Sequence, residues 1–238
     1  RSLFGGIQGA LGIDALRKSL NITIPLRVAQ VTFIGPVAAG TVTIETQILR
    51  AGKNVTHAQA RILQGDECMC LVIGIFGASR ESSLLINKLT YPDTVPSAEP
   101  LPDMPFIKGM MPEFLQHYTL RVATGRYPYQ GAKDCITQTY CAVRLGDDSV
   151  VDAEAELIGL ADVIPTPALQ MLKTFAPASS LTWTLEFLTD TLTYESGLYL
   201  MDAIATNGSG GYINQTAVLW SPSGVPVALT RQSAVVFG

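Results

Sequence analysis

Two kinds of hydrophobic periodicity alternate along the chain. Between Val150 and Pro165 apolar residues recur at helical spacing, Asp152 is suited to cap the first turn, and Pro165 cannot continue a helix. We therefore predict one helix over this stretch. A second, buried helix is predicted around Ile7–Arg17, where residues on most sides are small or apolar and glycines permit close approach of a sheet or a ligand.

Most of the remaining chain has the alternation of β-strands. Near Thr41–Leu49, for example, Val42 and Ile44 alternate with Thr43 and Glu45, as on a half-buried strand. Prolines remove any period from residues 91–112, which indicates a semi-rigid linker. The predicted strands are 26–34, 41–49, 55–63, 68–76, 114–123, 136–145, 181–187, 198–205, 212–220 and 225–237.

The end of the chain repeats the first half. Both halves have a helix followed by strands in the same order, and they close alike, on Phe76-Gly77 and on Phe237-Gly238. This pattern indicates an internal duplication. We predict an α+β fold with two helix-plus-antiparallel-sheet repeats, residues 1–90 and 113–238, joined by the linker 91–112 into one compact unit.

Composition narrows the function classes. Charged residues are only 15% of the chain against roughly 25% in a typical domain, so we expect surface to be buried in a homo-oligomer. The net charge of −4 offers no bulk field for nucleic acid. The longest apolar run, Cys68–Ala78, is shorter than the about 20 residues of a membrane span. Because no signal-peptide pattern precedes the first helix, we expect a cytoplasmic protein, with natural residues before Arg1.

The cysteines and histidines predict neither a metal site nor a cofactor. Cys68, Cys70, Cys135 and Cys141 form no Cys-x-x-Cys pair, and no histidine cluster accompanies them. We interpret them as reduced, mostly buried thiols.

One acid is unusual. Asp162 has apolar residues on both sides near the end of the predicted second helix, where an unpaired carboxylate is costly to bury. Either it points to solvent or it lines a pocket.

The order of several short motifs resembles that of the acyl-CoA thioesterase II family, whose double hotdog fold wraps an antiparallel sheet around a central helix in each half. No single motif is decisive, but together they cover nearly the whole chain. The matching segments are Phe4-Gly5-Gly6 with Gln8, Phe33-Ile34-Gly35-Pro36, Leu49-Arg50-Ala51-Gly52-Lys53, Leu63-Gln64-Gly65, Gly224-Val225-Pro226-Val227-Ala228 and Arg231-Gln232.

The resemblance implies a catalytic set. The family's Asp on the second hotdog helix corresponds to Asp162, its hydroxyl residue before the next strand to Ser180, and its Gln on the last strand to Gln232. Two positions depart from the family pattern: Thr182 stands in place of an Asp and Asp190 in place of a Pro. These departures put substrate details in doubt more than the chemistry.

The residue types suit thioester hydrolysis. Asp162 would draw a proton from a water that Ser180 and Gln232 orient, and a backbone amide at Gly5 or Gly6 would stabilise the oxyanion. Packing alone is the alternative role for these glycines, as a turn is for Ser180 and a satisfied core amide for Gln232. Candidate partners for the phosphates of an acyl-CoA substrate are Arg50, Lys53, Arg61, Arg121, Arg126, Lys133 and Arg144.

Two other functions are compatible with the fold. A non-hydrolytic acyl-thioester-binding protein would hold the acyl chain without a competent water. A dehydratase of the hotdog type needs a histidine on the hotdog helix, and neither His57 nor His117 lies on a predicted helix.

Overall fold

A computed structural model describes residues 2–146 and 152–237. Two helices and one antiparallel sheet of ten strands make up the fold, with two short 3₁₀ helices at Glu113–His117 and Pro167–Met171. The α-helices are α1 (Gly5–Leu20) and α2 (Ala153–Leu160). The strands are β1 (Leu26–Phe33), β2 (Thr43–Ala51), β3 (Val55–Gln64), β4 (Glu67–Gly77), β5 (Tyr118–Thr124), β6 (Ile136–Val143), β7 (Ala178–Phe187), β8 (Tyr199–Ser209), β9 (Tyr212–Trp220) and β10 (Pro226–Val236).

The order of the strands confirms the predicted duplication. Across the sheet they run β2-β3-β4-β1-β7-β10-β9-β8-β6-β5, so the first four mirror the next four about the central pair β1 and β7. This pair joins the halves in register from Val28 opposite Glu186 to Thr32 opposite Thr182. The fold is therefore the predicted α+β double hotdog in one compact unit, while the division at residues 90 and 113 stays a prediction.

The proline-rich segment 91–112 contains no helix or strand and packs on the second half. Tyr91 meets the ring of Trp220 edge to face at 5.4 Å, and its hydroxyl lies 3.3 Å from that of Tyr140. The backbone N–H of Met104 donates to the carbonyl of Leu120 at 2.7 Å. The linker is thus held at both ends.

The two helices lie side by side and antiparallel on the inner face of the sheet. Gly6 is next to Gly159, because a Cβ built on Gly6 would lie 3.1 Å from the Cα of Gly159. At the other end, Arg17 forms an ion pair with Glu154 at 2.6 Å. This arrangement brings the N-terminus of α1 beside the C-terminus of α2.

The second helix is shorter than predicted. Asp152 caps it as expected, since its carboxylate accepts from the N–H of Ala155 at 3.1 Å. The helix ends at Leu160, however, five residues before Pro165, and Asp162 lies in the following turn. After Leu160 the N–H groups of Asp162 and Val163 donate to the carbonyls of Gly159 and Leu160, three residues earlier, so the helix closes in a tighter turn. Val150 and Val151, like Arg1 and Gly238, lie outside the described residues.

The strand predicted to begin at Phe114 begins instead at Tyr118, after the first 3₁₀ helix. The glycine-rich segment Asn207–Gly211 ends in a hairpin turn: Gly210 and Gly211 connect β8 to β9, both with positive φ (59° and 83°). Two successive positive φ values match the right-handed twist of the flanking strands. Within the described ranges, no helix is long and apolar enough to cross a membrane.

Candidate active site

Asp162 faces inward and lies against the start of α1. Its Oδ2 occupies space that a side chain at position 5 would need, since a Cβ on Gly5 would lie 2.6 Å away. The backbone N–H of Gly6 also favours the charged form of this carboxyl and lowers its pKa. A helix N-terminus favours an anion through its free N–H groups and its dipole. Of the two alternatives for Asp162, the structure therefore excludes a carboxylate in open solvent, since Asp162 lies against Gly5 and accepts from Gln232.

The environment of Asp162 shifts its protonation into the neutral range. Burial disfavours the charged form and raises the pKa of this carboxyl from 3.8 to about 7. Hydrogen bonds from Gln232 and from the backbone of Gly6 oppose this shift but do not cancel it. A carboxyl with a pKa near neutral can exchange a proton readily under ordinary conditions.

Gln232 and Ser180 converge on this acid. The side-chain amide of Gln232, buried on β10, donates one hydrogen bond to Oδ1 of Asp162 at 2.9 Å and another to Oγ of Ser180 at 2.8 Å. The structure thus brings together the three polar side chains that the family resemblance singled out from separate parts of the sequence.

A β-bulge aims Ser180 at this site. Along β7 and β10 the partners are Ser233 with Thr182 and then Ala234 with Ser180, so Leu181 is an extra residue on β7. Strict alternation would give Ser180 the same face as Thr182, away from Gln232. The bulge reverses the face of Ser180.

The hydrogen bonds around the amide leave an uneven set of free groups. Both N–H protons of Gln232 are used, on Asp162 and on Ser180, so no proton remains for a third partner. Ser180 accepts from Gln232, and in the described part of the chain no acceptor receives its own O–H. Asp162 keeps free lone pairs. A water at this site would therefore contact Asp162 and Ser180, with Gln232 holding both of them in place.

Gln215 was not identified from the sequence. Its Nε2 donates to Oε1 of Gln232 at 2.7 Å, and both amides are buried. The two residues are register partners on β9 and β10. The sequence signal for Gln215 is a long polar side chain in the strand that precedes that of Gln232. Recognising it requires the register of the two strands, which the sequence pattern does not give.

Gly5 and Gly6 lie at the acid, as the close approach of Asp162 to α1 requires. An oxyanion role for their backbone amides stays a prediction. Phe33 lines the same spot, with its ring atoms 3.0 and 3.1 Å from the Cβ that Gly5 lacks. Phe4, which precedes the helix, stacks on Phe114 with ring centroids 3.9 Å apart and lies against Gly6, so an aromatic wall lines the start of α1.

Tyr118 is a titratable group that interacts with Asp162 and with Glu156. Burial, together with the charges of Glu156 and Asp162, raises the pKa of Tyr118 on β5 well above its usual range. Burial also raises the pKa of Glu156 on α2. Burial thus disfavours the charged forms of both groups.

The candidate phosphate-binding cations are dispersed. Arg61 pairs with Glu45 at 3.0 Å and Arg121 with Asp103 at 2.6 Å, while Arg144 donates to the carbonyl of Tyr118. The structure does not bring the seven predicted cations together, and their role in CoA binding stays a prediction.

The two positions that depart from the family pattern, Thr182 and Asp190, lie away from Asp162. Asp190 pairs with Arg27, which lowers the pKa of that carboxyl, and Thr182 is exposed on β7. His57 lies on β3 and His117 at the end of a 3₁₀ helix, so neither is on α1 or α2. Residues 2–146 and 152–237 contain no group of three His, Cys, Asp or Glu side chains that could hold a metal ion.

Solved structures share this fold at low sequence identity. A conserved hot-dog-fold protein of unknown function from Alicyclobacillus acidocaldarius is 24% identical, with a TM-score of 0.85 over 100% of this chain and 88% of that one. The tesB protein of Mycobacterium avium subsp. paratuberculosis is 14% identical, with a TM-score of 0.78 over 99% and 88%. The acyl-CoA thioesterase II TesB2 of Mycobacterium marinum is 15% identical, with a TM-score of 0.75 over 98% and 89%.

No curated protein matches the chain. Two family models do, and in the order that the duplication requires. The acyl-CoA thioesterase N-terminal domain matches residues 2–77, and the acyl-CoA thioesterase C-terminal domain matches residues 92–236. With both domains present in tandem over a double hotdog, the chain belongs to the acyl-CoA thioesterase family.

Proposed function

We propose that this protein hydrolyses an acyl-CoA thioester to the free acid and CoA, using a water activated by Asp162. The observation that carries the proposal is the pair of hydrogen bonds from Gln232, which ties Asp162, at the N-terminus of α1, to Ser180. Family membership supports the substrate class.

In the proposed mechanism, ionised Asp162 accepts a hydrogen bond from the water and takes its proton. The hydroxyl of Ser180 donates to one lone pair of this water, and the other lone pair attacks the thioester carbon. A C–O bond forms and the carbonyl oxygen becomes an oxyanion. The positive end of α1, with the amides of Gly5 and Gly6, is the proposed stabiliser of that charge.

Collapse of this intermediate breaks the C–S bond and returns the carbonyl. The leaving sulfur then takes the proton held by Asp162, so that CoA leaves as a thiol and the carboxyl is ready for another cycle. No covalent enzyme intermediate is needed, because a thioester is electrophilic enough for direct attack by a positioned water. The aromatic wall around Phe33 and Phe4 supports an apolar acyl group beside the acid.

The decisive experiment is a hydrolysis screen over short, medium, long and aromatic acyl-CoAs, read out by free thiol. For the best substrate, Asp162→Asn should lower turnover by about 10²–10⁴-fold, the usual worth of a positioned acid-base group, with little change in binding. Asp66→Asn, in an exposed turn, is the matched control. Parental turnover in the Asp162 variant would reject Asp162 as the base.

The same screen decides the alternative. A parent protein that binds acyl-CoA with no turnover of any chain length would favour the non-hydrolytic acyl-thioester-binding function on the same fold. The residues of the site do not favour that function, because a binding protein has no need for an acid and a hydroxyl held together by the amide of Gln232.

A homo-oligomer in the cytoplasm is the proposed setting. Large apolar side chains remain exposed, including Leu84, Leu85 and Ile86 at 74%, 91% and 70%, which supports burial against a second copy. The four cysteines are free thiols, as a reducing compartment favours. Sedimentation at micromolar concentration that shows only monomer would contradict the assembly.

A further inference from the structure

We propose that Gln215 is a positioning residue, which keeps the amide of Gln232 turned so that its N–H groups face Asp162 and Ser180. This inference rests on the proposed function for its kinetic consequences, but its structural part can be tested without turnover.

The contact is direct and buried. Nε2 of Gln215 donates to Oε1 of Gln232 at 2.7 Å, and the two side chains are 8% and 7% exposed. They face each other across β9 and β10 in register, so the backbone ladder fixes the distance between them. Water has little access to replace this bond.

A glutamine side-chain amide can adopt two orientations, related by a half-turn, that exchange the positions of its oxygen and its NH₂ group. If the amide of Gln232 turned over, its Oε1 would face the carboxylate of Asp162, an acceptor against an acceptor, and the acid would lose a stabilising hydrogen bond. Ser180 would then have to give its proton to Gln232 and could not give it to a water. The orientation of one amide therefore sets both the charge of the acid and the free proton of the hydroxyl.

Gln215 opposes this turn because it supplies the only donor recorded for Oε1 of Gln232 in the described residues. The Oε1 of Gln215 is buried and has no hydrogen-bond partner among the described residues. The amide of Gln215 thus donates to Gln232 although its own oxygen is left unsatisfied. A side chain kept only to fill the sheet could be apolar, since the neighbouring inward positions on β9, Ala217 and Leu219, are apolar and buried. The donor at position 215 is thus explained by what it does to Gln232.

The test compares Gln215→Met, which keeps the shape and removes the donor, with the parent. We expect kcat to fall roughly tenfold, about the worth of one hydrogen bond, with KM unchanged because Gln215 is not proposed to touch substrate. The inflection of the kcat/KM profile should move to higher pH, because Asp162 keeps its bond from Gln232 for less of the time. Gln215→Glu at pH 9 should be worse than Met, since an ionised carboxylate competes for the N–H groups of Gln232.

Gln59→Met is the matched control. Gln59 donates to Gln47 at 2.9 Å, and these two glutamines are register partners on β3 and β2, away from the site. It should leave kcat, KM and the inflection at parental values. A variant at 215 that loses only thermal stability, with parental kcat and inflection, would overturn the inference.

A ¹³C titration of the Asp162 carboxyl by NMR separates the two hypotheses. An upward shift of its pKa in Gln215→Met, absent in Gln59→Met, supports the positioning role even if the parent hydrolyses no acyl-CoA. An unchanged pKa overturns that role even if the parent is an active thioesterase.

Discussion

Replacing Asp162 by Asn should make the protein more stable at alkaline pH while abolishing most of its activity. The carboxyl of Asp162 has a pKa of about 7 in the folded protein, against its ordinary value of 3.8 in the unfolded chain. About three units at 1.36 kcal/mol each give at most about 4 kcal/mol by which the ionised acid disfavours the folded state. Asn has nearly the same shape and carries no charge, so it escapes this cost.

The sign follows from which state holds the proton. Between pH 3.8 and about 7 the unfolded chain has released the proton of Asp162 whereas the folded protein still binds it. Stability therefore falls as pH rises through this window, and the loss is complete above pH 7. The Asn variant lacks this component, so its advantage over the parent should grow across the same window.

Urea unfolding of both proteins at pH 4, 5.5 and 8 measures the effect. The difference in unfolding free energy between variant and parent should increase from pH 4 to pH 8 by up to about 4 kcal/mol, and effects of the substitution that do not depend on pH cancel from this increase. Asp66→Asn corrects for the general loss of one carboxylate. A difference that stays constant from pH 4 to pH 8 would refute the proposed burial cost.

Three other outcomes are expected. The kcat/KM profile should rise with pH and level off above an inflection near 7, since only ionised Asp162 can accept the proton of the water; a flat profile from pH 5 to 9 would exclude this acid as the base. Gly5→Ala should lower turnover and cost about 1–3 kcal/mol of stability, because its Cβ would overlap Oδ2 of Asp162, whereas Gly9→Ala on the same helix should leave turnover per folded molecule unchanged. Ser180→Ala should reduce kcat about tenfold through loss of one hydrogen bond to the water, and Ser179→Ala, its exposed neighbour, should not.

The fold was predictable because its evidence is periodic and repeated. Alternating positions predict the strands, the repeated order of helix and strands predicts the duplication, and motif order predicts the family. The length of α2 was not predictable from these patterns. Apolar residues continue past Leu160 at a spacing that a helix would tolerate, yet the chain turns there and directs Asp162 at α1.

The residues of the candidate site can be predicted from the sequence only where residue identity matters more than geometry. Asp162, Ser180 and Gln232 were found from family positions, but alternation along β7 would have turned Ser180 away from the other two. The extra residue at Leu181 has no signature of its own, because any side chain can occupy a bulge of this kind. Gln215 could not be identified from the sequence for a similar reason, because its proposed positioning role depends on which residue faces it across the sheet.

The mirrored order of strands has a consequence for stoichiometry. Ser180 lies opposite Ala234 as Leu26 lies opposite Phe76, and Gln232 lies opposite Trp183 as Gly74 lies opposite Ala29. The mirrored positions in the first half are therefore Leu26 and Gly74, and neither residue can orient a water or hold an acid. The duplicated architecture should therefore turn over one substrate per chain rather than two, with the first repeat contributing its helix end to a centre whose side-chain chemistry belongs to the second.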